Sequence, residues 1–135
     1  MNRVQFLVVW RQQPSIAPHT DGPELRKQES AVKATEAFEL GVKYLDKEDL
    51  DKALVAFSEA VRLDPEFAQA YNGRGVTFAL KEETEKALAD FSKAILLDPQ
   101  DPEFYRSRAY LYEELDEESK AKADLAKAEE LEGRE

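Results

Sequence analysis

Cysteine is absent from the 135-residue sequence, and histidine occurs once, at His19. Without cysteine the chain forms no disulfide bond and offers no thiolate for a metal site or for catalysis. His19 lies in a proline-rich segment and lacks the partner ligands that a zinc site needs. We therefore predict that the protein binds no metal and uses no catalytic thiol.

Long hydrophobic runs are also missing. The most apolar stretch, residues 4–10, is far shorter than the roughly 20 residues that span a bilayer. It follows Arg3 in the manner of a signal peptide, but it is short for that role and no small-residue cleavage site follows it. We expect no membrane association, and we predict a cytoplasmic location.

Basic residues are outnumbered by acidic ones, and the net charge is −10. The imbalance is concentrated in residues 34–135, which hold 14 basic and 26 acidic residues. A body of this charge repels phosphate backbones, so nucleic acid is not an expected partner.

No pattern typical of catalysis is present. Gly73 and Gly75 lie inside a predicted helix with no strand ahead of them, so they do not form a phosphate-binding loop. The acidic clusters at residues 82–83 and 116–118 lack the spacing and the turn glycine of a calcium loop. We predict that the protein is not an enzyme and has no cofactor.

What the sequence does contain is an internal repeat of 34 residues without gaps. Unit 1 spans residues 34–67, unit 2 spans 68–101 and unit 3 spans 102–135. Small and aromatic residues recur at fixed offsets: Gly41, Gly75 and Ala109; Tyr44, Phe78 and Tyr112; Ala53, Ala87 and Ala121; Phe57, Phe91 and Leu125; Ala60, Ala94 and Ala128. Such a period is typical of stacked repeat architectures.

Each unit indicates two helices. In unit 2, Tyr71, Gly75 and Phe78 follow the i, i+4, i+7 spacing of one helical face, and the same spacing recurs after Ala87. The pattern predicts helices over residues 24–45, 50–63, 66–80, 84–97, 101–114 and 117–131. One helix pair cannot bury its own apolar face, so we expect the three pairs to stack.

This pattern resembles the tetratricopeptide repeat family. The family has Leu-Gly and an aromatic residue on the first helix of each unit, then Ala, Phe, Ala and Pro on the second. Unit 2 shows Tyr71, Arg74, Gly75 and Phe78, followed by Ala87, Phe91, Ala94 and Pro99. The departures are Ala37 in place of a large residue, Arg74 and Arg108 in place of Leu, and Glu48, Glu82 and Asp116 in place of a turn glycine.

The resemblance implies an all-α fold, a superhelical stack of three antiparallel helix pairs. We expect residues 24–135 to form this domain, and residues 1–23 to form an irregular apolar segment followed by a linker. The family resemblance also implies a non-enzymatic scaffold that binds a peptide or partner protein. The alternative is a self-assembly module that forms homo-oligomers by end-to-end stacking or by exchange of N-terminal segments.

In this family the first helices line a concave binding face. The matching positions here are Thr35, Phe38, Val42, Leu45, Gln69, Asn72, Val76, Ala79, Glu103, Arg106, Tyr110 and Glu113. From these we select Phe38, Val42, Asn72, Val76, Arg106 and Tyr110 as candidate ligand contacts. A competing interpretation makes Phe38, Val42 and Leu45 part of the core, covered by the chain's own N-terminal region.

Some family members hold the C-terminal carboxylate of a chaperone with Lys, Asn and Arg. The matching positions are Phe38, Val42, Gly73, Glu103 and Ser107, and none carries the required residue. We therefore do not expect this clamp. Arg74, Arg106 and Arg108 remain as cations near the groove, where they could meet an acidic ligand or pair with local carboxylates.

Residues 1–13 differ from the rest of the chain. They are either disordered or an extended segment that docks on an apolar surface, and we expect residues 6–10 to dock on the N-terminal part of the superhelix. The receiving surface could be the end face, the convex face or the groove itself.

Overall fold

The computed structural model describes residues 22–134, which form six α-helices. They are α1 (Pro23–Asp46), α2 (Leu50–Leu63), α3 (Ala68–Leu80), α4 (Thr84–Leu97), α5 (Pro102–Glu114) and α6 (Glu118–Glu132). No strand occurs in this part of the chain, and the prediction of an all-α repeat stack is confirmed. The predictions for residues 1–13 lie outside the described residues.

The helices form three pairs: α1 with α2, α3 with α4, and α5 with α6. Consecutive pairs meet where α2 packs on α3 and where α4 packs on α5. The first helices also contact one another, α1 with α3 and α3 with α5, whereas within residues 22–134 the second helices stay apart. The stack therefore curves with its first helices on the inner side.

A tight turn joins the two helices of every pair. After α1, Glu48 N–H donates to Leu45 C=O (2.9 Å) and Asp49 N–H donates to Tyr44 C=O (2.9 Å), the two bonds of a Schellman motif. Glu48 takes the left-handed conformation at φ 59°, and Glu82 and Asp116 do the same at 60° and 59°. These three acidic residues stand where the family pattern has a glycine, and the backbone there keeps the glycine-like conformation.

A second kind of turn joins consecutive pairs. Asp64 Oδ1 accepts a hydrogen bond from Glu66 N–H (3.1 Å), which forms a local turn around Pro65. The Tyr71 hydroxyl donates to the Pro65 carbonyl (3.0 Å), so α3 is fastened to the turn ahead of it. The same bond recurs one unit later, from Tyr105 to Pro99 at 3.1 Å.

The core is built on aromatic residues that enter spaces left by glycine. Phe57 of α2 is fully buried between Gly41 of α1 and Gly73 of α3. A Cβ at Gly41 would lie 2.7 Å from the Phe57 ring, and one at Gly73 would lie 2.6 Å from it. Any side chain at either position would displace the ring, so these glycines set the distance between neighbouring helices.

Gly75 has the same role inside the second pair, where α3 lies close to α4. A Cβ there would lie 2.6 Å from Phe91 Cε1 and 3.3 Å from the Ala87 carbonyl oxygen. We expect Gly75→Leu to lower the free energy of unfolding by about 1–3 kcal/mol or more, because it overpacks this contact. Urea denaturation followed by circular dichroism measures the change.

Gly133→Leu is the matched control, since a Cβ at Gly133 meets no atom closer than 3.5 Å. An unchanged unfolding midpoint for Gly75→Leu would contradict the packing described for α3 and α4.

Replacing a left-handed turn residue with glycine is expected to stabilise the protein. Glu48→Gly is expected to raise the free energy of unfolding by up to about 1 kcal/mol, because glycine adopts φ 59° without the Cβ clash of other residues. Lys47→Gly, one residue earlier at φ −88°, should destabilise the protein. Thermal unfolding of both variants tests the assignment, which fails if Glu48→Gly is the less stable of the two.

Candidate functional site

The concave face carries a cavity between α3 and α5. Its volume is about 270 Å³, and its walls are Val76, Ala79, Leu80, Phe91, Glu103, Arg106, Ser107 and Tyr110. Of the six selected contacts, Val76, Arg106 and Tyr110 come together here. Ala79 and Glu103, also predicted to face the groove, complete the wall.

The floor of this cavity is apolar and its edge is exposed. Val76 packs with Phe91 and Leu111, which are buried, so it forms a fixed part of the floor. Tyr110 is 63% exposed and Leu80 is 58% exposed, although both are large apolar side chains. A ligand that covers them would gain the free energy of removing that surface from water.

The charges around the cavity are largely paired within the protein. Arg106 forms a salt bridge with Glu132 of α6, and this hydrogen bond raises the pKa of Arg106 above its usual value. Glu103 stands exposed at the rim. With the charge of Arg106 already balanced by Glu132, the rim that faces a ligand is acidic.

Arg74 and Arg108 are occupied by carboxylates of their own units. Arg74 Nε and Nη2 donate to Asp90 at 2.8 and 2.9 Å, and Arg108 binds Asp124 in the same bidentate way. Both aspartates are buried, and the hydrogen bond to Asp90 raises the pKa of Arg74. Of the two roles that the sequence left open for these cations, the structure shows local pairing.

On α1 the predicted groove residues are divided between core and surface. The Phe38 ring lies 5.8 Å from the Phe57 ring and 5.1 Å from the Phe67 ring, so it is partly buried and packs against the core between α1, α2 and α3. Val42, one turn later, is exposed. Between them and the cavity lies Asn72 of α3, whose Oδ1 is buried without a hydrogen-bond partner among the described residues.

Leu80 and Ser107 line the cavity although the sequence analysis did not select them. Leu80 follows Val76 by four residues, so helical spacing alone places it on the same face. Ser107 stands next to Arg106 and lines the cavity together with Phe91, at the position where unit 2 has Gly73. The helical spacing could have identified Leu80, whereas the place of Ser107 depends on how the units pack.

Two other kinds of site are absent from residues 22–134. No group of three or more His, Asp or Glu side chains is arranged to hold a metal ion there. In the same range, no helix has the length and apolarity needed to cross a membrane.

The stacked helix pairs and the inner groove define a helical-repeat protein of the kind that binds other proteins. The sequence profile of the tetratricopeptide repeat family matches residues 38–102. The TPR2B domain of yeast Sti1, solved in complex with pHsp70, is 30% identical, with a TM-score of 0.74 over 76% of this chain and 82% of that one. The chain belongs to the tetratricopeptide repeat family.

Two further solved structures show the same architecture. The TPR domain of Arabidopsis OM64 is 25% identical, with a TM-score of 0.74 over 78% of this chain and 88% of that one. The first TPR of Spaghetti (RPAP3), bound to the HSP90 peptide SRMEEVD, is 23% identical, with a TM-score of 0.73 over 78% and 83%. A search of curated proteins found no match.

The contribution of the Arg74–Asp90 ion pair to stability can be tested with residues that occur at the same positions in unit 1. Asp90→Ala should lower the free energy of unfolding by about 1–3 kcal/mol, because it leaves a partly buried guanidinium without its carboxylate. Unit 1 has Leu40 and Ala56 at the equivalent positions. The double variant Arg74→Leu with Asp90→Ala should therefore recover most of the loss, since it copies a pairing the fold already uses.

A double-mutant cycle from urea denaturation measures this coupling. Additive losses in the double variant would show that the pair contributes nothing beyond its separate side chains.

Proposed function

We propose that the chain is a non-enzymatic scaffold that binds a peptide or partner protein on the concave face of α1, α3 and α5. The observation that carries the proposal is the cavity between α3 and α5, with its apolar floor and exposed edge. Its volume of about 270 Å³ lies below the usual range of small-molecule pockets, about 300–1,000 Å³. It suits one anchoring side chain of a longer ligand.

In this proposal Val76 and Tyr110 contact the anchor, and Arg106 and Asn72 border it. The buried Oδ1 of Asn72 has no partner within the described residues, and a peptide N–H could satisfy it after a small rotation of the amide. Phe38 supports the surface from the core, and Val42 extends it along α1. The ligand would then cross the stack from α5 towards α1.

The rim favours a neutral or basic ligand. Glu103 is exposed and Arg106 is already paired with Glu132, so among the residues that line the cavity no unpaired cation awaits a carboxylate. The yeast Sti1 and Spaghetti structures hold pHsp70 and an acidic HSP90 peptide, respectively. This chain has Phe38, Val42, Gly73, Glu103 and Ser107 where the resemblance implies a carboxylate clamp. We therefore propose a partner with an apolar anchor beside Lys or Arg.

Selection from a displayed random-peptide library tests the proposal and needs no identified partner. Peptides that combine an apolar anchor with basic residues should be enriched on the wild-type protein. The double variant Val76→Asp with Tyr110→Asp should bind them at least about tenfold more weakly, a loss of about 1.4 kcal/mol or more. Circular dichroism checks that this variant stays helical, because Val76 also packs on Phe91 and Leu111.

Leu96→Asp is the matched control, because Leu96 is 75% exposed and lies on α4, away from the inner face. Binding that survives in the double variant would exclude the concave face as the site. Enrichment of acidic peptides instead would contradict the proposed ligand charge.

Self-assembly is the second candidate function. The two ends of the stack differ in the kind of association that they favour. Val61 and Ile95 pack against the first helix of the following unit, but unit 3 has the exposed Glu129 at that position. A charged residue there opposes head-to-tail stacking. An apolar surface at the other end, around Leu40 and Val55, favours an association of like ends. Sizing across a concentration series separates a monomeric scaffold from such a dimer.

A further inference from the structure

The N-terminal end of the stack carries a second apolar groove, here called the end groove. It lies between α1 and α2, has a volume of about 490 Å³ and is lined by Ala37, Leu40, Tyr44, Asp51, Lys52, Val55, Ala56 and Glu59. Leu40 is 45% exposed and Val55 is 71% exposed. This surface is separate from the cavity between α3 and α5.

The internal repeat shows what this surface does elsewhere in the chain. Ala37 of unit 1 corresponds to Tyr71 of unit 2, which packs against Ala60 and Val61 of the preceding pair. Leu40 corresponds to Arg108 of unit 3, which reaches Ser92 of the preceding pair at 3.3 Å. The α1 side of the end groove, at Ala37 and Leu40, thus matches the positions through which later units contact their predecessors. In unit 1 no preceding unit among the described residues covers it.

At two positions of this face, unit 1 has apolar residues where units 2 and 3 have charged ones. Units 2 and 3 carry the ion pairs of Arg74 with Asp90 and of Arg108 with Asp124. Unit 1 carries Leu40 and Ala56 at those positions. A terminal repeat that ends in water is expected to present a polar outer face. An apolar one indicates that something covers it.

We propose that residues 4–10 of the same chain occupy the end groove. This segment contains Phe6, Leu7 and Trp10, and it precedes the described residues by a short linker. From Trp10 to Gly22 the chain can extend roughly 40 Å, at 3.3–3.6 Å per residue. Leu40 lies only about 25 Å along α1 from Pro23, at 1.5 Å per residue. The segment therefore reaches the whole length of the groove.

The end groove suits this segment better than the concave face does. On α1 the inner side offers Phe38, whose ring is already engaged with Phe57 and Phe67. The end groove offers Leu40 and Val55, whose side chains have no such cover from the described residues. A tethered segment also has a high effective concentration, so it competes well against the same segment of a second molecule.

Trp10 is the only tryptophan, so its fluorescence in the full chain reports on this contact alone. We expect blue-shifted emission and slow quenching by acrylamide in the wild-type protein. Val55→Asp should shift the emission to longer wavelength and raise the quenching constant severalfold. Its helicity should stay unchanged, because Val55 is too exposed to hold the core together.

The controls are Leu96→Asp, which should leave Trp10 protected, and the double variant Val76→Asp with Tyr110→Asp. Freely quenched, red-shifted Trp10 in the wild-type protein would overturn the proposal. Protection that Val55→Asp leaves intact but the double variant removes would overturn it in favour of the concave face. Protection that vanishes on dilution would overturn it in favour of a second copy. Peptide selection on Val55→Asp should match wild type, so this test stands apart from that of the proposed function.

Discussion

The packing of one aromatic ring between two glycines governs the geometry of this repeat stack. Phe57 can lie between α1 and α3 only because Gly41 and Gly73 present no side chain to it. The ring then fixes the distance from one first helix to the next. Dispersion and burial act together at this contact, since the ring is wholly removed from water and touched from both sides. The curvature that creates the inner face follows from how closely these first helices approach.

Helix positions follow from the sequence to within two residues because periodicity and end signals agree there. The 34-residue period, the prolines after α2 and α4, and the i, i+4, i+7 faces all point to the same boundaries. The turn backbone was less predictable from residue type. A glutamate is rarely found in the left-handed conformation. The two Schellman hydrogen bonds, donated by the N–H groups of Glu48 and Asp49, nevertheless hold Glu48 at φ 59°. Tertiary context here outweighs local preference.

The sequence predicts on which face of a helix each candidate site residue lies, but not how deeply its side chain is buried. Repeat offsets give the side of the helix on which a residue lies, and Val76, Arg106 and Tyr110 do line one cavity. The offsets do not tell how deeply a side chain is buried. Phe38 packs against the core because Phe57 and Phe67 offer it aromatic neighbours. The ion pairing of Arg74 was also not predictable from its own helix. Its partner Asp90 lies 16 positions away, on the next helix.

The recurrence of the Arg–Asp pair and of the Tyr–Pro bond makes unit 2 compatible with copies of itself. Its upstream face carries Tyr71 and Arg74, and its downstream face carries Ile95 and the Pro99 carbonyl that unit 3 uses. A duplicate of residues 68–101 inserted after residue 101 would find matching surfaces on both sides. The ends lack this freedom, since Leu40 and Glu129 break the match. Such a protein can lengthen by duplication in its middle while both termini keep their own chemistry.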